Sequence, residues 1–357
     1  MTVDQNWYSD GTLAVLGTGR ALPGAPISNN QLVELIHPHV PNLRARRVLA
    51  AAMQLGIRTR HISRSFTARV ERPSEDARNP DLAAQAISEA LAEAGLAANN
   101  LGYLIGHTTT PAQPLPSNIA FVADTLGYAG PHLELRQACT GFANALMIAF
   151  GLLSRPDARP VAIVGSETGS LFFDPADAES DRDQLVNLVQ MGDGAGAIIL
   201  GPAATSSHQL SGAWFGATGL GKAPGLQMRQ GGSDHPGTPH DVQIFAQDYG
   251  EIANAGPALF AAGVGAANRQ GHDLRQVDWI IPHQANGRIG QQFASAFDVP
   301  VEKVLVNADR VGNTGSAAIW LALADLRAGG LRKGQTALAL GAEATKYMHG
   351  GFLYEHG

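Results

Sequence analysis

Three side chains in this sequence, Cys139, His283 and Asn313, have the chemistry of a site that handles thioesters. A thiolate is a strong nucleophile, while a neutral imidazole and a side-chain amide both offer N–H donors to a carbonyl oxygen. Such donors stabilise an enolate as its negative charge develops, whereas a carboxylate in their place would repel it. The three types together predict an enzyme that holds an acyl group on sulfur and stabilises a carbanion beside it.

Cys139 is predicted to lie between a strand at 133–135 and an apolar helix that starts near Gly141. The positive end of the helix dipole and its free backbone N–H groups favour a thiolate, so the pKa of Cys139 is expected to be low. Gly141 is expected to leave room for a bulky thioester. A lone cysteine is also often a small buried hydrophobe, and the cysteine alone does not decide between the two roles.

His283 and Asn313 both stand where a predicted strand ends. Proteins of the α/β class present reactive side chains at such ends. Taken singly, His283 fits a core position as well as a catalytic one, and Asn313 fits a helix cap. Together with Cys139 they favour the catalytic interpretation.

Strands and helices alternate along the chain, which predicts a layered α/β fold. The two halves also echo each other. An alanine-rich helix and a strand ending in histidine occur at 82–107 and again at 257–283. The segment that begins at Cys139 (Cys-Thr-Gly-Phe-Ala) resembles the one that begins at Asn313 (Asn-Thr-Gly-Ser-Ala), and each is followed by a helix, a strand and a Gly-x-Glu turn.

The spacing of these landmarks agrees between the halves. His107 precedes Cys139 by 32 positions, and His283 precedes Asn313 by 30. A repeat in fixed order predicts two copies of one unit, here 1–185 with the nucleophile and 186–357 with the histidine and asparagine. Packed about a pseudo-dyad, the copies would bring Cys139 close to Asn313. The alternative is that small-residue helices after glycine turns resemble one another anyway.

Bulk composition narrows the class of protein. The 357 residues are 45% apolar and 16% charged, which fits two domains or one two-lobed globular domain. A net charge of −6 argues against nucleic acid or an anionic membrane as the main partner. We expect no transmembrane helix and no signal peptide, because no long apolar run is present. A single cysteine excludes an internal disulfide, so the cytoplasm is the predicted location.

These residues resemble the ketoacyl-ACP synthase III branch of the thiolase superfamily, over almost the whole chain. The cysteine motif is the most specific part, together with the segments His283-Gln284-Ala285-Asn286 and Gly312-Asn313-Thr314. Weaker matches are the Gly-Ile-Arg segment at 56–58 and the glycine-rich run at 191–197. A dinucleotide-binding site is not predicted, because Leu22 stands where the dinucleotide fingerprint needs glycine. A serine nucleophile is not predicted either, because Gly165-Ser166-Glu167 does not fit the serine-elbow motif.

The resemblance implies a thiolase-like five-layer αβαβα fold with two pseudo-symmetric halves, and a homodimer. It implies that Cys139 takes an acyl group from an acyl carrier protein or acyl-CoA thioester. His283 and Asn313 then stabilise the enolate of a malonyl or β-ketoacyl thioester, which attacks the acyl group. No metal or redox cofactor, nucleic acid or membrane is implied. We expect a pathway of polyketide or specialised fatty-acid-derived biosynthesis.

Further site residues follow from the resemblance. Phe142 is expected to bind substrate, Leu115 to reach the partner's acyl pocket, and Arg288 to meet a carrier phosphate. Ala50 replaces an aromatic residue that stacks on coenzyme A, which favours a carrier-bound acyl donor. Charged residues Glu343 and Lys346 replace a glycine-rich loop. Our hypothesis is that one of them orients a longer β-keto substrate for cyclisation; the alternative is a surface ion pair.

Three rival functions stay open. Cys139 could pass its acyl group to a hydroxyl or amine, with His283 as general base and no decarboxylation. The chain could be a non-catalytic partner of an active homologue. It could also be a cysteine hydrolase, since His and Asn serve that chemistry too.

Overall fold

The structure, a computed structural model, describes residues 5–67, 72–73, 77–236 and 243–357. Its strands are β1 (Trp7–Tyr8), β2 (Thr12–Ala21), β3 (Ile27–Ser28), β4 (Thr59–Arg60), β5 (Tyr103–His107), β6 (His132–Leu135), β7 (Val161–Glu167), β8 (Gly194–Pro202), β9 (Gln209–Ala217), β10 (Leu226–Met228), β11 (Phe245–Gln247), β12 (Trp279–Pro282), β13 (Thr336–Glu343) and β14 (Met348–Glu355). Its α-helices are α1 (Asn29–Ile36), α2 (Ala45–Leu55), α3 (Asn79–Ala94), α4 (Asn118–Leu126), α5 (Gly141–Leu152), α6 (Arg182–Gln190), α7 (Tyr249–Arg269), α8 (Ile289–Phe297), α9 (Ala308–Val311) and α10 (Ala318–Ala328). No α-helix in these described segments is long and apolar enough to cross a bilayer.

The main sheet consists of two parts with the same pattern of strand pairing. In the first part the order is β2-β8-β7-β5-β6, and in the second it is β9-β14-β13-β12. In the first part the parallel pair β5·β7 lies next to two antiparallel pairs, β7·β8 and β8·β2. In the second part the parallel pair β12·β13 likewise lies next to two antiparallel pairs, β13·β14 and β14·β9. The parts join where Leu13 of β2 pairs with Leu210 of β9. The repeat predicted from the sequence is therefore confirmed.

Five layers result from the way the helices pack on these two parts. Helices α5 and α10 lie between them and contact strands of both. Helices α3 and α4 cover the outer face of the first part, and α7 and α8 cover that of the second. The predicted αβαβα architecture is confirmed.

Burial on both faces explains why the elements at the centre of the fold are so apolar in sequence. Strands β7 and β8 are buried along their whole length, as expected of strands covered on both faces. Three aromatic rings lie at the centre. The ring centroid of Phe142 is 5.8 Å from the ring centroids of both Trp320 and Phe352. Such clusters contribute a large share of the stability of a hydrophobic core. The helix that follows Cys139 therefore has a rigid support.

One helix boundary differs from the sequence prediction. Helix α7 begins at Tyr249 instead of Pro257, because the Asp248 side chain accepts a hydrogen bond from the Glu251 N–H and caps it. Pro257 lies inside the helix. The division at 185/186 stays a prediction, and strand pairing favours a later point, since β8 pairs with β2 and β7 of the first copy.

Candidate active site

Cys139 lies in the turn between β6 and α5, two residues before the helix begins, and is half-buried. A Cβ at Gly141 would lie 2.6 Å from Nδ1 of His107, so only glycine fits there. The glycine thus allows α5 to approach β5 closely. The sequence had suggested that it leaves room for a thioester, but the space beside it is filled by His107. The sulfur is held at a tightly packed helix start.

The expectation of a low pKa for Cys139 is wrong. Burial raises the pKa of the Cys139 thiol well above its ordinary value, and the negative charges of Glu343 and Glu167 raise it further. The cysteine's own backbone N–H opposes these effects only weakly. The helix terminus is outweighed here by desolvation and two buried carboxylates, so Cys139 rests as a thiol.

His283 directly follows β12, and its backbone N–H donates to the Leu340 carbonyl of β13 at 2.8 Å. Its ring is buried, and burial lowers the pKa of His283 to about 4. The imidazole is therefore neutral near pH 7 and can donate one N–H. Sequence reasoning included Gln284 in a motif but gave it no role; its buried amide donates to the carbonyls of Pro282 (2.8 Å) and Leu305 (3.0 Å) and fixes this turn.

Asn313 is fixed by its backbone and by its own side chain. Its N–H donates to the Gln190 carbonyl at 2.7 Å, and its carbonyl accepts from the Gly192 N–H at 3.0 Å. The side-chain Oδ1 accepts from the Gly315 N–H at 3.1 Å. Because Oδ1 is engaged, the amide is oriented with its N–H groups on the other side, as a hydrogen-bond donor.

Direct contacts link the three turns that carry these residues. The Ser316 hydroxyl, in the turn of Asn313, donates to the Gln137 carbonyl, in the turn of Cys139, at 3.2 Å. Gly341 follows the residue that pairs with the His283 N–H, and a Cβ there would lie 3.2 Å from Thr140 Cγ2. The turns that carry Cys139, His283 and Asn313 therefore lie next to one another. The repeat predicted this for Cys139 and Asn313, and the roles of all three residues stay predictions.

Two buried carboxylates connect the halves crosswise at this site. Glu343, at the end of β13, accepts from the Thr140 N–H (2.8 Å) and hydroxyl (2.7 Å) beside Cys139. Glu167, at the end of β7, accepts from the Ser316 hydroxyl beside Asn313. The repeated Gly-x-Glu pattern marked both residues in the sequence, but it could not reveal that each one reaches the opposite half.

Comparisons with known proteins agree with this geometry. Residues 133–219 match the family model of 3-oxoacyl-[acyl-carrier-protein] synthase III, and residues 267–353 match the model of its C-terminal part. The β-ketoacyl-[acyl-carrier-protein] synthase III of Xanthomonas oryzae pv. oryzae is 31% identical over 341 residues, covering 91% of this chain and 92% of that protein. The chain belongs to the β-ketoacyl-[acyl-carrier-protein] synthase III family. It is thus a condensing enzyme of the acyltransferase class.

Solved structures show the same fold. The chain is similar to AbyA1, a tetronic acid condensing enzyme, with a TM-score of 0.82 and 27% identity over 96% of this chain and 99% of that one. It is also similar to 3-oxoacyl-(acyl carrier protein) synthase III of Pseudomonas aeruginosa PAO1, with a TM-score of 0.78 and 28% identity over 97% and 98%. The thiolase-like fold predicted for this synthase III relative is therefore confirmed.

The two charged residues that replace the glycine-rich loop, Glu343 and Lys346, have different surroundings in this condensing enzyme. Glu343 is buried next to Cys139, whereas the Lys346 ammonium donates to the carbonyls of Gly219 and Lys222. The alternative of a surface ion pair is wrong, because Glu343 is only 2% exposed and bonds Thr140 instead. Only Glu343 of this pair lies at the site.

The other predicted substrate contacts have different surroundings. Phe142 is fully buried among Trp320 and Phe352, so its predicted contact with substrate is corrected to a packing role. Arg288 donates to the carbonyls of Met53 (2.9 Å) and Gln54 (2.8 Å) in the last turn of α2, and so caps that helix. Its contact with a carrier phosphate stays a prediction. Leu115 is 84% exposed, and its reach to a partner subunit also stays a prediction.

Proposed function

We propose that this condensing enzyme loads an acyl group on Cys139 and joins it to a second thioester held by His283 and Asn313. One observation carries the proposal. A neutral imidazole and an amide whose oxygen is already engaged stand on turns that contact the turn of Cys139. Two N–H donors near one sulfur suit the enolate of a thioester, because its negative charge develops on a single oxygen that both can reach.

In the loading step, Cys139 loses its proton as the sulfur attacks the carbonyl of an acyl thioester. The bond between that carbonyl and the carrier sulfur breaks, and the departing thiolate takes up the proton. The backbone N–H of Cys139 is the proposed donor to the oxyanion.

In the condensation step, the second thioester binds with its carbonyl oxygen at His283 and Asn313. Its α-carbon becomes an enolate, by loss of CO2 from a malonyl group or of a proton from a β-ketoacyl group. The carbanion attacks the acyl carbon and displaces the sulfur of Cys139, which is reprotonated. The product is a β-ketoacyl or more highly acylated thioester.

Condensation followed by cyclisation is a second candidate, favoured by the likeness to AbyA1, a tetronic acid condensing enzyme. Tetronic acid is a lactone with a 1,3-dicarbonyl unit, so its formation needs a C–C and a C–O bond. Simple acyl transfer to a hydroxyl or amine is disfavoured, because His283, with its pKa lowered to about 4, is a weak general base at neutral pH.

We further propose that the enzyme works as a homodimer, with the exposed Leu115 at the partner's acyl pocket, and takes its thioesters from an acyl carrier protein. The name of the family supports the carrier as partner. Polyketide or specialised fatty-acid-derived biosynthesis is the proposed context, again on the likeness to AbyA1.

Intact-protein mass spectrometry with a panel of acyl carrier thioesters tests this function. Wild-type protein should gain one acyl mass, and Cys139→Ala should gain none. Asn313→Ala should gain the acyl mass but form product about 100- to 1000-fold more slowly, since it lacks one enolate donor. Product at the wild-type rate from Asn313→Ala would refute the assigned role.

A further inference from the structure

The buried carboxylate of Glu343 has no part in the reaction proposed so far. Its Oε2 accepts two hydrogen bonds, from the N–H and the hydroxyl of Thr140, and its Oε1 accepts one, from the Thr345 hydroxyl. An ionised carboxylate offers about four acceptor sites. Within the described part of the chain, Glu343 thus keeps one acceptor site on Oε1.

Glu167, the equivalent residue of the first half, provides a comparison. It accepts from the Thr109 N–H and from the hydroxyls of Thr109, Thr110 and Ser316. Three of these bonds fall on Oε1 and one on Oε2, so each of the two carboxylates has one oxygen with a single donor. The two residues share strand position and burial, and they differ in place: Glu343 bonds the residue that follows Cys139, whereas Glu167 bonds Ser316 in the turn of Asn313.

The place of Glu343 relative to the chemistry follows from its partners. It bonds Thr140, the residue after the nucleophile, and its charge is felt by the Cys139 sulfur. The α-carbon of the second thioester must come within about 3.5 Å of the acyl carbon on that sulfur. Any group on this α-carbon therefore reacts next to the carboxyl group of Glu343.

We propose that Glu343 is the catalytic base that removes the α-proton of an uncharged β-ketoacyl thioester, so that this enzyme condenses without releasing CO2. This inference rests on the proposed function and names the substrate class of its second step. A malonyl group suits the site poorly, because its carboxylate would come next to the buried carboxylate of Glu343, and like charges repel each other strongly where water is excluded.

The step balances without a further reactant. The α-carbon gives its proton to Oε1 of Glu343, and the resulting enolate oxygen is held by the N–H groups of His283 and Asn313. The α-carbon then forms a bond to the acyl carbon while the bond from that carbon to the Cys139 sulfur breaks. Glu343 returns the proton to the departing sulfur, which restores the thiol and the carboxylate.

The test compares two nucleophiles, acetoacetyl-pantetheine and malonyl-pantetheine, on enzyme whose Cys139 has first been shown by mass to carry an acyl group. Glu343→Gln keeps the size of the side chain and an oxygen for Thr140 but cannot accept a proton. It should slow condensation of acetoacetyl-pantetheine by about 100-fold or more, without slowing CO2 release from malonyl-pantetheine. Glu343→Asp should restore part of the acetoacetyl rate.

Glu167→Gln is the matched control, since it removes a buried charge at the equivalent strand end. It should leave the ratio of the two rates unchanged even where it lowers stability. A second measurement is the pH dependence of Cys139 alkylation by iodoacetamide. The charges of Glu343 and Glu167 both raise the thiol pKa, so the alkylation profile should move to lower pH in both variants. With the loss of charge thus shown for both, a change in the ratio of the two rates in Glu343→Gln alone identifies the base.

The outcomes separate the two proposals. If no acyl mass appears on Cys139 of the wild type, the proposed function fails. If Cys139 is acylated but Glu343→Gln leaves the ratio of the two rates within about twofold of the wild type, far below the effect of losing a base, the role of Glu343 is refuted. Faster use of malonyl- than of acetoacetyl-pantetheine by the wild type would refute it as well.

Discussion

The buried histidines should make the free energy of unfolding strongly dependent on pH below 7. Burial lowers the pKa of His283 to about 4 and that of His107 to about 3, from an ordinary value of 6.5. Between pH 6.5 and these lowered values, the unfolded chain binds protons that the folded chain refuses. The stabilisation is therefore fully present above pH 6.5 and is lost as the pH falls toward 4 and 3.

The magnitude follows from the size of the two shifts. One pKa unit corresponds to about 1.4 kcal/mol, so acidification from pH 7 to pH 5 should cost about 2 kcal/mol for each histidine. The lowered pKa keeps the ring of His283 neutral, and the neutral ring is also the form that the condensation step requires. A thermodynamic measurement can thus test whether the enolate donor is an imidazole or an imidazolium.

Urea denaturation at pH 7 and pH 5, followed by circular dichroism, measures the effect. The loss of stability between these pH values should be smaller by about 2 kcal/mol in His283→Gln than in the wild type. His37→Gln, at an exposed position, is the control for removal of one imidazole. An equal pH-dependent loss in His283→Gln and the wild type, or an NMR titration of His283 near pH 6.5, would refute the reasoning.

Two further predictions concern residues that the sequence had assigned to substrate. Phe142→Ala should destabilise the fold by about 3–5 kcal/mol in urea denaturation, because it removes a fully buried ring; a raised KM at unchanged stability would restore its substrate role. Arg288→Gln should speed amide hydrogen exchange in the last turn of α2, since it removes two hydrogen bonds to the carbonyls of that turn. Unchanged exchange would leave Arg288 free to meet a carrier phosphate.

The sequence was sufficient for the duplicated fold and for the meeting of Cys139 and Asn313, because a repeat constrains topology and equivalent turns meet at a pseudo-dyad. It was insufficient where the outcome depends on partners distant in the chain. The pKa of Cys139 depends on Glu343, 204 positions later, which the helix-terminus argument could not include. Phe142 was misassigned because its neighbours Trp320 and Phe352 come from the other half.

Comparison of equivalent residues explains how two similar halves came to contribute different groups. His107 accepts the Trp320 indole N–H at 3.1 Å, whereas no described residue bonds the ring of His283. Glu167 accepts four hydrogen bonds and Glu343 three, and in each carboxylate one oxygen has a single donor. The two glutamates differ in place, since Glu343 bonds the residue that follows Cys139 and Glu167 bonds Ser316 in the turn of Asn313. A buried polar group with spare hydrogen-bonding capacity costs stability, and such a cost persists where the group acts on a substrate. The ring of His283 and the place of Glu343 beside Cys139 therefore point to these two residues as the groups that meet the incoming thioester.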